Sequence, residues 1–241
     1  MQVDKRWFLD FRPEEIEEIR QNQELVVVVD LWAATTNIIL MLTKKPSRLV
    51  IVDDEKYATA KNLYQRTVLI GESDHIPPES FAAGSNRTFD VDQVDIDGKT
   101  VLYLSFNGAR VIEAFAGPQK GLVFVGAMTN FGVLAKELLR LGPDKVNIVA
   151  AGNLTGKLRG AVFVEDFMGA EILEKELKGQ RFDLEAERDR MKREMLGYLA
   201  EDLEDADEKV WPYIFGPQVD ILATAFINKN GFAEVLRLRH V

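Results

Sequence analysis

Residues 25–29, Leu-Val-Val-Val-Val, form an unbroken apolar run that ends at Asp30. Five such residues without alternation describe a strand covered on both faces, the habit of a central strand in a parallel sheet flanked by helices. Few architectures accommodate it. After a short connection, Thr35, Thr36 and Asn37 stand where a helix through Ile38, Ile39, Met41 and Leu42 begins.

Strand, acid, hydroxyls, helix start is an order with two readings. The first turn of a helix has backbone N–H groups without intrahelical partners and a partial positive charge, so it attracts oxyanions. A carboxylate at the adjoining strand end repels a bare anion but holds a divalent cation that bridges to one, which makes Asp30, Thr35 and Thr36 a metal and anion corner. The local reading is that Asp30 caps the turn and the threonines cap the helix.

The rest of the chain repeats the unit. Strands are read over residues 2–9 (an edge strand, given Asp4, Lys5 and Arg6), 48–52, 68–71, 100–104, 122–125 and 146–150. Helices are read from Pro13, over 55–64, up to Phe115, over 131–141 before Gly142-Pro143, and from Glu165-Asp166. This rhythm describes one α/β domain over residues 1–241, three-layer α/β/α with a mostly parallel or mixed sheet; any division into two lobes falls near residue 98. Residues 219–225 read as a last short helix and 234–239 as a closing strand. Over 184–203, Leu184, Met191, Met195, Tyr198, Leu199 and Leu203 share one helical face. That face suits core packing and self-association equally.

From Glu72 to Thr88 the periodicity fails around Pro77-Pro78 and Gly84. Irregular stretches of this length inside compact domains are usually functional. Its acids, His75 and Ser85-Asn86-Arg87 are expected over the carboxyl ends of the strands, the usual ligand side of an open α/β sheet.

Composition excludes several classes. A net charge of −9 argues against a nucleic-acid binder. Without cysteine there is no thiolate nucleophile, Cys-based zinc site or disulfide. No apolar run approaches the roughly 20 residues of a membrane span, and Met-Gln-Val-Asp-Lys-Arg-Trp is no secretory signal. A soluble cytoplasmic protein is expected. His75 is a candidate acid or base, or only a loop cap; His240 is the next-to-last residue of the sequence. The glycines at 152, 156 and 160 fit no phosphate-loop fingerprint, and Trp32 replaces the second aspartate of haloacid dehalogenase-type phosphatases.

Asp30 with Ala34-Thr35-Thr36, Gly71-Glu72, Phe81 with Gly84, Ser85 and Asn86, Asn107-Gly108, Asn130 after Gly126, and Ala151-Gly152 with Glu165-Asp166 and Gly169-Ala170 occur in an order that resembles the 2-phosphosulfolactate phosphatase (ComB-like) family over nearly the whole chain. The resemblance implies that fold and a Mg²⁺-dependent phosphatase of the kind used in coenzyme M synthesis, acting on a small phosphorylated anion. It implies Asp30, Glu72, Glu165 and Asp166 as metal ligands, and Asp30, Glu72 and His75 as catalytic groups. Thr35, Thr36, Asn107, Gly108, Asn130 and Gly152, with the backbone N–H groups of residues 34–36, would face the substrate.

The departures are equally specific. Ala33 stands where the family has arginine. Tyr103, Leu104, Ser105 and Phe106 replace a threonine run, the Ser85-Asn86 order is inverted, and Lys209 to Tyr213 replaces a Ser-x-His-Gly segment. An arginine fork and hydroxyls are what bind phosphate and sulfonate. The competing expectation is therefore a family-fold protein that has lost catalysis and binds a small anionic ligand or a protein partner.

Overall fold

The computed structural model describes residues 1–83, 86–152, 164–199 and 207–238. Among the described residues, nine strands form one sheet: β1 (Gln2–Trp7), β2 (Leu25–Val29), β3 (Arg48–Ile51), β4 (Thr67–Gly71), β5 (Thr100–Leu104), β6 (Val123–Gly126), β7 (Lys145–Ala150), β8 (Leu222–Ile227) and β9 (Ala233–Leu238). The helices are α1 (Pro13–Gln21), α2 (Ala34–Thr43), α3 (Asp54–Leu63), α4 (Thr88–Asp92), α5 (Gly108–Phe115), α6 (Phe131–Leu141), α7 (Val164–Leu177), α8 (Leu184–Leu199) and α9 (Asp207–Ile214). This is an α/β fold.

The strand order is β1-β7-β2-β6-β8-β9-β3-β5-β4. β1, β7, β2 and β6 are parallel to one another, as are β3, β5 and β4, and the β8–β9 hairpin joins the two groups through antiparallel pairings. The sheet is therefore mixed, and the second group runs nominally opposite to the first. Residue 98 precedes β5, which lies between β3 and β4, so strands from both sides of it share one sheet.

Twist reconciles that reversal with a common site. At about 20–25° per strand, five steps from β2 to β5 accumulate roughly 100–125°, so strands nominally opposed are turned well toward a common direction. Three apolar layers result. Val26 and Val28 of β2 pack with Ile38 and Ile39 of α2, Val111 and Ile112 of α5, and Leu49, Ile51, Val101 and Tyr103 of the second group. The other face of β2, Val27 and Val29, packs with α6, α7, α8 and α9. Val50, Leu69, Leu102 and Leu104 pack with Ala60 of α3, and with Ile76 and Phe81 of the irregular segment.

The helix expected over residues 219–225 is instead β8, whose Leu222, Ala223, Thr224, Ala225 and Phe226 are all buried. Thr224 Oγ1 donates to Val123 O at 2.8 Å and the strand pairs with β6. A short run buried on both faces has no period to distinguish strand from helix. In α8, Met191 and Met195 are buried while Leu184 is exposed, which narrows the expected face; the side chains of Tyr198, Leu199 and Leu203 lie outside the described residues. So do Gly84, Ser85, Gly156, Gly160 and His240. Among the described residues, no helix is long and apolar enough to cross a membrane.

Candidate active site

β2 delivers Asp30 to the end of the sheet, and the carboxylate turns back on the chain that follows. Its Oδ1 accepts the Ala34 N–H at 3.0 Å, Ala33 N–H also bonds the carboxylate, and Oδ2 accepts the Gly108 N–H at 2.8 Å. Ala33, at the N-cap of α2, has no side-chain acceptor to offer. Asp30 therefore caps α2 and, through Gly108, the start of α5. The two parallel groups meet here, since α5 follows β5.

The threonines brace the same turn. Thr35 Oγ1 donates to Asp30 O at 2.7 Å, Thr36 Oγ1 donates to Leu31 O at 2.8 Å, and the Thr35 N–H bonds Asp30 O at 3.0 Å. Both side chains are buried. The expected anion cradle at residues 34–36 is thus already occupied: Ala34 and Thr35 have given their N–H groups to Asp30. At this corner the local capping geometry is what forms.

Glu165 and Asp166, in the first turn of α7, are buried. Asp166 bridges two chain exits, accepting the Leu31 N–H at 2.8 Å on Oδ1 and the Gly152 N–H at 3.0 Å on Oδ2. Glu72 enters from β4. Gly71 has φ +132°, and a Cβ there would fall 1.8 Å from Leu104 O, so only glycine lets the chain leave the strand with the Glu72 N–H still bonded to that oxygen at 3.1 Å. The Glu72 carboxylate is half-buried; it accepts the Asn86 amide at 3.3 Å and the Phe106 N–H.

Electrostatics joins these acids into one cluster. Burial pushes Asp30 up against its N–H donors, and burial with the Asp30 charge pushes Glu165 up to about 8. Burial, then the charges of Asp30 and Glu165, raises Asp166 well above the carboxylate range. Burial raises Glu72 too, and the Asp30 charge adds to it. Among the described residues no basic side chain stands among the leading influences on any of the four.

Four carboxyls thus share a region, but they do not make a ready cage. Among the described residues, no three of His, Asp or Glu converge closely enough to hold one ion. The aspartate oxygens aim at backbone N–H groups. Three N–H groups still leave the Asp30 carboxylate one free lone pair, and Mg²⁺ commonly takes only one or two carboxylates, with water and phosphate completing its shell. Asp30 with Glu72 or Glu165 is the carboxylate pair that would hold such an ion.

The remaining candidates divide. Asn107 is half-buried at the N-cap of α5, beside the cluster. The Asn130 side chain is fully buried: it accepts the Ala127 N–H and donates to Val125 O and Ile221 O, fastening β6 to the approach to β8. His75 is exposed, and its own N–H donates to Ser73 Oγ at 2.9 Å. Three groups that the sequence reading names without a catalytic, metal or substrate role belong to the corner. Asn37, Asn86 and Tyr103 link hydrogen bonds that end on Glu72. The available signal was polarity out of place: an asparagine opening an apolar helix and a tyrosine inside an apolar strand. Trp32 lies against Trp211 of α9 with ring centroids 5.7 Å apart, so the segment replacing Ser-x-His-Gly forms an aromatic wall beside the Asp30 turn.

Fold and site define an α/β protein with a carboxylate cluster where two parallel strand groups meet. The model of the 2-phosphosulpholactate phosphatase family matches residues 10–209, and the chain belongs to that family. It is 29% identical over 143 residues to a "Probable 2-phosphosulfolactate phosphatase" of Clostridium beijerinckii, covering 58% of this chain and 59% of that protein. Proteins with the same description from Clostridium tetani (28% over 158 residues, 64% of each chain) and Thermotoga maritima (26% over 152 residues, 63% of this chain and 62% of the relative) are also similar. The aligned regions thus span about three fifths of these curated relatives.

Proposed function

We propose that this chain is a phosphatase that hydrolyses the monoester of a small phosphorylated acid resembling 2-phosphosulfolactate, with Mg²⁺ as cofactor. The observation that carries this is the group of buried Asp30, Glu165 and Asp166 with half-buried Glu72, with no basic side chain among the leading influences on any of the four among the described residues. Clustered carboxylates in low dielectric need either protons or a cation. Bound Mg²⁺ would neutralise phosphate charge and acidify an attacking water.

The chain's own groups do the rest. Glu72 is the least enclosed of the four acids, and burial lifts its affinity for a proton, so it takes the proton of the attacking water. The water oxygen bonds to phosphorus, the ester P–O bond breaks, and the leaving alkoxide takes up a proton to become the alcohol. Asp30 holds the starts of α2 and α5 together so that this corner keeps its shape. The chain's cysteine-free composition supports a cytoplasmic setting.

A second reading has its own observation. Ala33 stands at the family's arginine position, and the hydroxyls of Thr35 and Thr36 are engaged within the turn; both favour a member that binds an anionic ligand without turning it over. Purified protein with Mg²⁺ and a panel of phosphomonoesters that includes 2-phosphosulfolactate separates the two. Phosphate release lost in Asp30→Asn and in EDTA supports the phosphatase; release no greater than in Asp30→Asn sinks it.

A further inference from the structure

Tyr103 lies in β5 with its whole side chain buried, yet its hydroxyl is not idle. It donates to Asn86 Oδ1 at 3.1 Å and accepts from Asn37 Nδ2 at 3.3 Å. Asn37 Nδ2 also donates to Asn86 O at 2.8 Å and to Asn86 Oδ1 at 3.0 Å. Turning the Asn37 amide over would set its oxygen against the Asn86 carbonyl, so the donor direction is settled. With the Asn86 oxygen occupied, its Nδ2 points at Glu72 Oε1, 3.3 Å away. Every donor runs toward the carboxylate.

We propose that Tyr103 is a positioning residue: acting through Asn86, its hydroxyl orients Glu72 within the acid cluster and fastens the chain leaving β4 to α2. Plain core packing does not account for it. A phenylalanine would fill the same apolar space without burying polar groups, and the Asn37 Oδ1 atom is left buried without a hydrogen-bond partner among the described residues. Such arrangements persist where orientation matters more than stability. The inference deepens the phosphatase reading, and only the kinetic half of its test rests on that reading.

Tyr103→Phe, Asn86→Ala and the double variant test it, with Asn86→Ala serving if Tyr103→Phe does not fold. Hydrogen exchange reports position without any activity: each single variant is expected to speed exchange of the Glu72 and Ser73 amides about tenfold, the equivalent of one hydrogen bond. Val27 and Val28 amides should not change, and the double variant should be no faster than the faster single, because the two residues act in series. With Mg²⁺ and p-nitrophenyl phosphate, kcat should fall about tenfold while KM stays within about twofold. Unchanged exchange at Glu72, multiplied effects in the double variant, or equal loosening of β2 would overturn the proposal. Exchange as expected in a wild type that releases no phosphate would uphold the positioning role and remove the phosphatase reading. Exchange as expected with kcat untouched would overturn the role in turnover.

Discussion

Gly108 donates its N–H to Asp30 Oδ2 at 2.8 Å, and a Cβ on Gly108 would lie 2.5 Å from that same oxygen. It would also lie 2.7 Å from the Ala34 Cβ. This bond between the two parallel strand groups therefore depends on a residue without a side chain. Gly108→Ala must push α5 off Asp30, and overpacking of this kind costs about 1–3 kcal/mol. Urea unfolding should show that loss, and phosphate release should fall with it; a midpoint within error of wild type would show that the contact yields freely.

Asp166 ties α7 to β2 and β7 by accepting the N–H groups of Leu31 and Gly152. Asp166→Ala leaves both donors facing a cavity, and each unsatisfied buried donor costs about 1–3 kcal/mol. Asp166→Asn keeps the shape but opposes one N–H with an amide N–H₂, so its loss should be the smaller. Chemical denaturation of the three proteins at one pH orders them. Equal stability of Asp166→Ala and wild type would mean water replaces the carboxylate at no cost.

Much of this corner was legible from residue order. Five apolar residues closing on Asp30 identify the central strand, and Glu72 just past a strand end and Glu165-Asp166 at a helix start lie within reach of the Asp30 charge. What the acids do with their oxygens was not legible. Whether Asp30 faces a cation or its own backbone depends on where Gly108 arrives, and Gly108 arrives from a strand group whose reversed direction is set by β8 and β9. The β8 run carries no period, so its pairing, and with it the reversal, was invisible. Tyr103 was hidden for another reason: one aromatic residue in an apolar strand reads as core until its hydroxyl has partners.

Trp211 is buried in α9 with its ring against Trp32 and Phe215, at centroid distances of 5.7 Å in both cases. Removing a buried tryptophan costs about 3–5 kcal/mol. Trp211→Ala should lower the unfolding midpoint accordingly and shift the emission of Trp32, which borders the Asp30 turn. A full-strength midpoint would mean that the wall is ornamental to the fold.

The Glu165 carboxyl makes the metal-free protein sensitive to pH in a definite direction. Burial and the Asp30 charge raise it from 4.5 to about 8. The unfolded chain loses this proton near 4.5, whereas the folded protein keeps it until about 8. Between those values the native state binds more protons than the unfolded state, so raising the pH favours unfolding. The contribution is fullest below 4.5, declines through the window by up to about 1.4 kcal/mol per pH unit, and levels off above about 8. Thermal unfolding in EDTA should therefore show a midpoint that falls as the pH rises across this range, and Glu165→Gln, which has no proton to lose there, should make the fall shallower, leaving the share of Asp30, Asp166 and Glu72. A bound cation would oppose the trend, because it would compensate the charge that deprotonation uncovers; on the Mg²⁺ proposal, added Mg²⁺ should raise the midpoint more at pH 8 than at pH 5. A midpoint equally insensitive to pH in wild type and Glu165→Gln would show that Glu165 carries its charge in the folded protein without penalty.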